Sequence, residues 1–336
     1  MIRYIIRRLL QAIPLLLLVS IVIFVLVNLA PGGPLAGHSK SRRMKPERAE
    51  RLRHQLGLDQ PLHVQYLVWL VGNDWLQEDG VRRGVLRGDF GFSFQTRRPV
   101  LTEIWQRLPN TVYLMGVAFI VIYILSVPIG VISAIKQYSV FDIAVTTVSF
   151  MGQSIPEFWF GLILIIVFYG ILINPFTGEP LLPSGGMATL GVGFDLWDRI
   201  KHLILPVSML TLTWVAWYSR FLRSSMLEVV NMDYIRTARA KGLTERVVLY
   251  RHALKNAALP LITLAALDLP YLFAGALYTE ILFAWPGMGR LYYQSAIKRD
   301  YPVLMAVLII EAALIVLSNL LADIAYAIVD PRVRYD

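Results

Sequence analysis

A chain of 336 residues with no cysteine, 56% hydrophobic and only 16% charged residues does not have the make-up of a soluble enzyme, a disordered protein or a disulfide scaffold. Its mean hydropathy is +0.57, and several windows of about twenty residues carry no charge, the length that crosses a bilayer core as a helix. The net charge of +9, from 32 Lys and Arg against 23 Asp and Glu, fits either nucleic acid binding or asymmetric loop charge in a membrane protein, and the position of the charges decides.

Six stretches have the length and composition of spanning helices. They are Leu9 to Ala30, Leu108 to Ile135, Ile143 to Ile173 (interrupted near Gly152 to Glu157), Leu203 to Ser219 with Pro206, Ala257 to Tyr278 with Pro260, Asp268 and Pro270, and Pro302 to Ile328 with Glu311 and Asp323. Prolines are tolerated in such spans because neighbouring helices re-satisfy the carbonyls they free. The first span follows Arg3, Arg7 and Arg8. Its apolar run is longer than a signal-peptide core and no A-x-A site follows, so it is expected to be a retained helix.

Six spans place both termini on one side. That side collects fourteen Lys and Arg: three before the first span, Lys136, eight between Arg220 and Asn256, and Arg332 and Arg334. The two short connections opposite hold five (Arg199, Lys201, Arg290, Lys298 and Arg299), and the loop from Pro31 to Arg107, too long to direct orientation, holds the other thirteen. The positive-inside rule puts both termini and the segment 220–256 in the cytoplasm. Loop asymmetry accounts for the basic charge, and no nucleic-acid partner is expected.

The organisation expected is therefore an all-α integral membrane protein. A basic segment and first span occupy 1–30, an extracytoplasmic insert 31–107, a five-helix core 108–329 with a cytoplasmic segment at 220–256, and a cytoplasmic tail 330–336. In the insert, Pro31-Gly32-Gly33-Pro34 stops the first helix, and residues 46–56 read as a short amphipathic helix starting at Pro46. Pro61 to Leu70 suits a second helix with Tyr66, Trp69 and Leu70 on its apolar face, and Val85 to Phe94 a turn or short extended piece. An insert this small is expected to pack on the membrane domain. Gly32 to Ser39 imitates the glycine spacing of a phosphate loop, but it lacks the lysine and follows a membrane span rather than a buried strand.

In the cytoplasmic segment, Asn231 or Asp233 can cap a two-turn helix from Tyr234 to Lys241, and Gly242 suits the left-handed position that ends it. A helix so short is marginal alone and needs a surface to dock against. It reads either as a solvated connector or as a helix offered to a cytoplasmic partner, with Ala238 and Ala240 permitting close approach.

Tyr234-Ile235-Arg236-Thr237-Ala238-Arg239-Ala240-Lys241-Gly242-Leu243, followed by Arg251-His252-Ala253-Leu254-Lys255-Asn256-Ala257 and Leu259-Pro260, closely resembles the coupling segment (the EAA loop) of permeases in the dipeptide/oligopeptide and nickel class of ATP-binding-cassette importers. Further matches run along the chain. Arg7-Arg8-Leu9 with Pro14, Phe24, Pro31, Gly32 and Pro34 resembles the family's first span and exit, and Leu56-Gly57-Leu58-Asp59 with Pro61 and Tyr66 its insert. Gly88-Asp89, Gly91, Ser93, Pro99-Val100, Leu108-Pro109 and Thr111 resemble the approach to span two. Glu280, Phe283, Trp285-Pro286-Gly287 and Gly289-Arg290 resemble the signature after span five, and Asp330-Pro331-Arg332 the family's ending. The Arg-Arg-Leu start and the long insert resemble the B-type, or first, permease. Gly33, where aspartate is more usual, and Asp268, in a stretch usually neutral and small, depart from the pattern and leave the substrate open.

The resemblance implies a type I importer transmembrane domain of six helices that is half of a pore in a prokaryotic inner membrane. Its implied partners are a homologous C-type permease, two ATPase subunits each receiving a coupling helix, and an extracytoplasmic substrate-binding protein. Tyr234, Ile235, Arg236, Ala238, Arg239, Ala240, Lys241, Gly242 and Leu243 would carry force rather than chemistry. Glu280, Trp285, Pro286, Gly287, Gly289 and Arg290 would form an extracytoplasmic turn, with the two glycines at its bend, serving either packing or contact with the binding protein.

Charged groups inside spans are costly, so they tend to face protein or water. Asp268, Glu311 and Asp323, with Glu157, are the candidates for the substrate pathway, where they could attract a peptide ammonium or a metal cation, or simply join helices. Trp214, Trp217 and Tyr218 are expected as interfacial anchors. The five histidines show no metal spacing, no cofactor is expected, and no nucleophile–base constellation favours an integral membrane enzyme. Di- or oligopeptides are the expected solute; nickel, a saccharide or an antibiotic peptide would use the same architecture.

Overall fold

The computed structural model describes residues 2–30, 58–73 and 83–329. All regular elements among them are helical. In chain order they are α1 (Ile2–Leu29), α2 (Leu62–Val71), α3 (Val100–Ile135), α4 (Val140–Ser154) and α5 (Glu157–Ile165), which is prolonged by a π-helical turn Ile166–Ile171. Then come α6 (Leu196–Val230), α7 (Asp233–Ala240), α8 (Glu245–Leu267), α9 (Tyr271–Ala274), α10 (Leu277–Leu282), α11 (Met288–Lys298) and α12 (Tyr301–Val329).

Helices α1, α3, α6 and α12 are each long and apolar enough to cross a membrane. Two more spans are bent pairs: α4 with α5 and its π turn, at 101°, and α8 with the run Tyr271–Leu282, at 44°. Counted this way there are six among the described residues. The first bend lies where the apolar run is interrupted in sequence. Ile155, before Pro156, is held extended (φ −87°, ψ 129°), and Pro156 leads into α5, because the proline ring disfavours a helical residue before it. The fourth span differs from its expected length. The apolar core from Leu203 to Ser219 sits inside a 35-residue helix that runs through Pro206 and on past Arg220 and Arg223. Asp195 starts it by accepting the Trp197 N–H at 2.9 Å.

Two compact units divide the chain. One comprises residues 1–109 and 287–316. Its core is Phe24 and Val27 of α1 with Tyr301 and Met305 of α12, against which Tyr66 and Trp69 of α2 pack. The Tyr66 ring meets Phe24 edge-on at 5.4 Å, and its hydroxyl lies 2.7 Å from Ser20 Oγ. The insert's second helix is thus laid on the spanning helices, as expected. The expected helix over 46–56 lies outside the described residues. In the same unit, buried Asp300 receives Ser93 Oγ at 2.5 Å and the Phe94 N–H at 2.9 Å, which pins the segment before α3 to the junction of α11 and α12.

The other unit comprises residues 110–286 and 317–336. Its core brings together Leu114 and Ile122 of α3, Leu203, Leu222 and Met226 of α6, Ile235 of α7, Val248 and Leu261 of α8, and Trp285. Helix α3 approaches α6 closely at Gly130, where an added Cβ would stand 2.7 Å from the Ser219 carbonyl oxygen. Small residues at such crossings let backbones meet inside a membrane, where packing rather than water exclusion joins helices.

Candidate functional site

Helix α7 has a firm inner face and an open outer one. Asp233 in its first turn and Arg239 in its last complement the helix dipole. Ile235 (0% exposed) and Ala238 (6%) are buried in the second unit's core. Of the nine coupling candidates, the other seven are exposed: Tyr234, Arg236, Arg239, Ala240, Lys241, Gly242 and Leu243. Gly242 adopts φ +75° and donates its N–H to the Arg239 carbonyl at 2.9 Å, so it ends the helix as its chemistry predicts. Past this stop, Arg239 clasps both oxygens of Glu245 through Nε and Nη2, at 3.1 and 2.8 Å. The expected side-chain cap is absent. Asn231 instead ends α6, its amide donating to the Leu227 carbonyl at 2.8 Å, and Met232 precedes α7 without a side-chain bond. A two-turn helix of marginal propensity is therefore held by docking at its inner face, and the exposed Arg239–Glu245 pair adds little.

The second candidate group folds inward. Glu280 is fully buried and accepts Thr111 Oγ1 at 2.7 Å. Trp285, 1% exposed, donates Nε1 to the Asn110 carbonyl at 2.9 Å, and Asn110 returns a bond from Nδ2 to the Pro286 carbonyl at 2.8 Å. The indole also stacks on Tyr113 at 6.2 Å. The chain turns at Ala284, with φ +50°, and bends again at Gly287. Gly287 is extended and precedes α11, Gly289 lies inside that helix, and both are buried. Arg290, also in α11, is partly exposed. Of the two glycines, Gly287 stands at the bend that leads into α11 and Gly289 in that helix's first turn, while the positive φ falls on Ala284, the residue before Trp285.

The third group surrounds a cavity of about 210 Å³ in the second unit, lined by Met115 and Phe119 of α3, Glu157 of α5, Leu210, Trp214 and Tyr218 of α6, and residues from Asp268 to Tyr278. The unwinding of span five makes it. Helix α8 stops at Asp268, whose N–H bonds to the Leu264 carbonyl at 2.9 Å. Pro270 then starts α9, and Gly275, at φ +76°, ends it. Tyr218 donates its hydroxyl to Asp268 Oδ2, and the Tyr123 hydroxyl approaches the same oxygen at 3.3 Å. The rings of Tyr123 and Tyr218 lie 4.9 Å apart, and Trp214 sits 6.1 Å from both Tyr218 and Tyr271.

Of the pathway candidates, Asp268 and Glu157 share this cavity, whereas Glu311 and Asp323 lie on α12 and are not part of its lining. Trp214 and Tyr218 are not the interfacial anchors expected of them: both face the cavity, and Trp217, 40% exposed, takes the outer position. Tyr123 and Tyr271 were missed in the sequence. The signal for Tyr123 was a phenol inside an apolar span, since a buried hydroxyl needs a partner. Among the described residues no three His, Asp or Glu side chains gather where they could hold a metal ion.

Comparison with known proteins bears on the whole chain. Residues 126–335 match the family described as binding-protein-dependent transport system inner membrane component, and residues 1–115 match the N-terminal part described for the same kind of membrane component. The chain is 46% identical over 333 residues to the oligopeptide transport system permease protein AppB of Bacillus subtilis, covering 99% of each chain. It is 37% identical over 352 residues to the dipeptide transport system permease protein DppB of Escherichia coli, covering 100% of this chain and 99% of that one. Among solved structures it resembles a chain of the MetNI methionine ABC transporter in inward-facing conformations, with a TM-score of 0.53 at 18% identity over 68% of this chain and 97% of that one. At that identity the likeness speaks for the fold alone.

Proposed function

The chain belongs to the family of inner membrane components of binding-protein-dependent transport systems, and from that membership we propose that it is the permease subunit of an importer of di- or oligopeptides. It is a multi-pass, non-catalytic membrane component of a system that also requires a binding protein and ATPases. The observation that carries the peptide reading is end-to-end similarity, at 46% and 37% identity, to permeases of oligopeptide and dipeptide systems.

In the proposed mechanism this chain is half of a pore completed by a homologous C-type permease. Both termini and the segment 220–256 lie in the cytoplasm. Two ATPase subunits engage the two permeases, and α7 with Gly242 and Leu243 is this chain's point of contact. Its shape supports that role. Ile235 and Ala238 tie the helix to α6 and α8, so a push on exposed Tyr234, Arg236 or Lys241 is passed to the spanning helices rather than absorbed by a loose loop. The cavity at Asp268 lies on the solute's path. Glu280 and Trp285 spend their polar groups inside the fold, which supports a packing role for the turn they share.

The test is reconstitution of the chain with its partner permease, ATPases and binding protein in proteoliposomes. ATP-dependent uptake of labelled di- and tripeptides is expected. Uptake restricted to nickel or a saccharide overturns the peptide reading. ATPase binding that survives deletion of Tyr234 to Leu243 in a membrane-inserted chain overturns the coupling role.

A further inference from the structure

The cavity beside Asp268 combines three features, each of which selects for positive charge. Two carboxylates, Asp268 and Glu157, line it, and among the described residues no lysine, arginine or histidine does. Its wall carries the aromatic groups of Trp214, Tyr218 and Tyr271, with the Trp214 ring 6.1 Å from each of the two tyrosine rings, and aromatic faces attract cations through their quadrupoles. Helix α8 also ends at Asp268, so the negative end of its dipole falls at the site, as at the cation sites of broken helices in other transporters.

The hydrogen bonding then fixes which atom is available. Tyr218 and Tyr123 both bond to Asp268 Oδ2, which leaves Oδ1 with no donor among the described residues. Two phenols orient the carboxylate and leave one oxygen for a ligand. A bare divalent metal fits less well, since the wall supplies ring faces and methylenes rather than a third ligand.

We propose that this cavity is a subsite for one alkylammonium group, bound by Asp268 Oδ1 with Glu157 as the second carboxylate and with Trp214 and Tyr271 against its methylenes and charge. A volume near 210 Å³ admits an amino terminus with its first side chain, or the end of a lysine, but not a whole oligopeptide. The permease thereby reads one end of its cargo independently of the binding protein. The identity of the cargo as a peptide rests on the function proposed above; the chemistry of the subsite does not.

The test uses the complete transporter complex in lipid nanodiscs without binding protein, with ligand-detected NMR titrations of n-butylammonium against the neutral, similarly sized n-pentanol. Wild type is expected to prefer the amine at least tenfold. Asp268→Asn, which can still accept from Tyr218, is expected to bring the amine to the level of the alcohol, Glu157→Gln to lower amine binding several-fold, and Trp214→Leu to weaken the amine more than the alcohol. Retained assembly with the ATPases shows that each variant has folded. Trialanine is expected to displace the amine and N-acetyl-trialanine not to, which separates a peptide terminus from alkylammonium ions in general. Equal binding of amine and alcohol to wild type, an undiminished preference in Asp268→Asn, or displacement of the amine by stoichiometric nickel overturns the subsite. If the amine preference is present but the reconstituted system imports no peptide, the peptide reading fails and the subsite stands. If peptides are imported and the preference is absent, the subsite fails alone.

Discussion

Arg223 of α6 grips Asp142 in the first turn of α4 through two parallel bonds, Nε to Oδ1 at 2.7 Å and Nη2 to Oδ2 at 2.8 Å. Asp142 is buried and also accepts the Tyr138 N–H at 2.9 Å. One turn earlier on α6, Arg220 bonds Gln153 at 2.9 Å and covers the Phe150 ring. Two arginines thus fix the crossing of α4 over α6, close in sequence to the coupling segment. The Asp142 side chain is 4% exposed and that of Arg223 24%, so removing the arginine strands a buried carboxylate at the edge of solvent, which costs at most about 3–5 kcal/mol. Arg223→Met is expected to lower the unfolding temperature of the purified permease sharply, and Asp142→Leu with Arg223→Met to recover most of the loss. A double variant no more stable than the single one would show that the pair is not what holds the crossing.

The two faces of α7 should respond differently. Ile235→Ala empties a core position, which costs about 2–5 kcal/mol, and is expected to weaken both protein yield and ATPase association. Tyr234→Ala and Lys241→Glu change exposed positions and are expected to leave thermal stability within about 0.5 kcal/mol of wild type while releasing the ATPases in pull-downs. If Tyr234→Ala and Ile235→Ala destabilise equally, the docking geometry described for this helix is wrong.

Glycines at two helix crossings offer a graded comparison. At Gly130 an added Cβ meets the Ser219 carbonyl oxygen at 2.7 Å, and backbone cannot yield. At Gly161 it meets Leu282 Cδ2 at 2.4 Å and Met209 Sδ at 2.6 Å, the far ends of flexible side chains. Overpacking costs about 1–3 kcal/mol where it forces backbone shifts. Gly130→Ala is therefore expected to cost more than Gly161→Ala in thermal unfolding, and the reverse order would contradict the α3–α6 contact.

Trp285→Phe keeps the aromatic packing against Tyr113 but leaves the Asn110 carbonyl without its indole donor. A net loss of about 1 kcal/mol follows for a typical hydrogen bond. Glu280→Leu removes the carboxylate that accepts the Thr111 hydroxyl, a loss of about 1–3 kcal/mol for a buried bond to a charged group, and Glu280→Leu combined with Thr111→Val should cost less than the sum of the two single changes. Thermal denaturation of wild type, Glu280→Leu, Thr111→Val and the double variant reads the difference; strict additivity would mean that the Glu280–Thr111 bond contributes nothing.

Hydropathy and local chemistry were enough to locate all six spans, the interruption at Pro156, the end of α7 at Gly242 and the docking role of Tyr66 and Trp69. The repeated family motifs led to the transporter family as well. These features are legible because each depends on a window of a few residues: a proline excludes one backbone conformation, a glycine permits another, and twenty apolar residues have one inexpensive place to go. Tertiary structure decided which polar side chain meets which. Tyr123 and Asp268 are 145 positions apart, Thr111 and Glu280 are 169 apart, and Arg223 and Asp142 are 81 apart. Tertiary structure also turned Trp214 and Tyr218 inward and carried α6 past its apolar core. A span's composition states that its charged groups need partners; the partner is chosen by the packing of helices distant in the chain, where leaving a polar group unpaired costs the most.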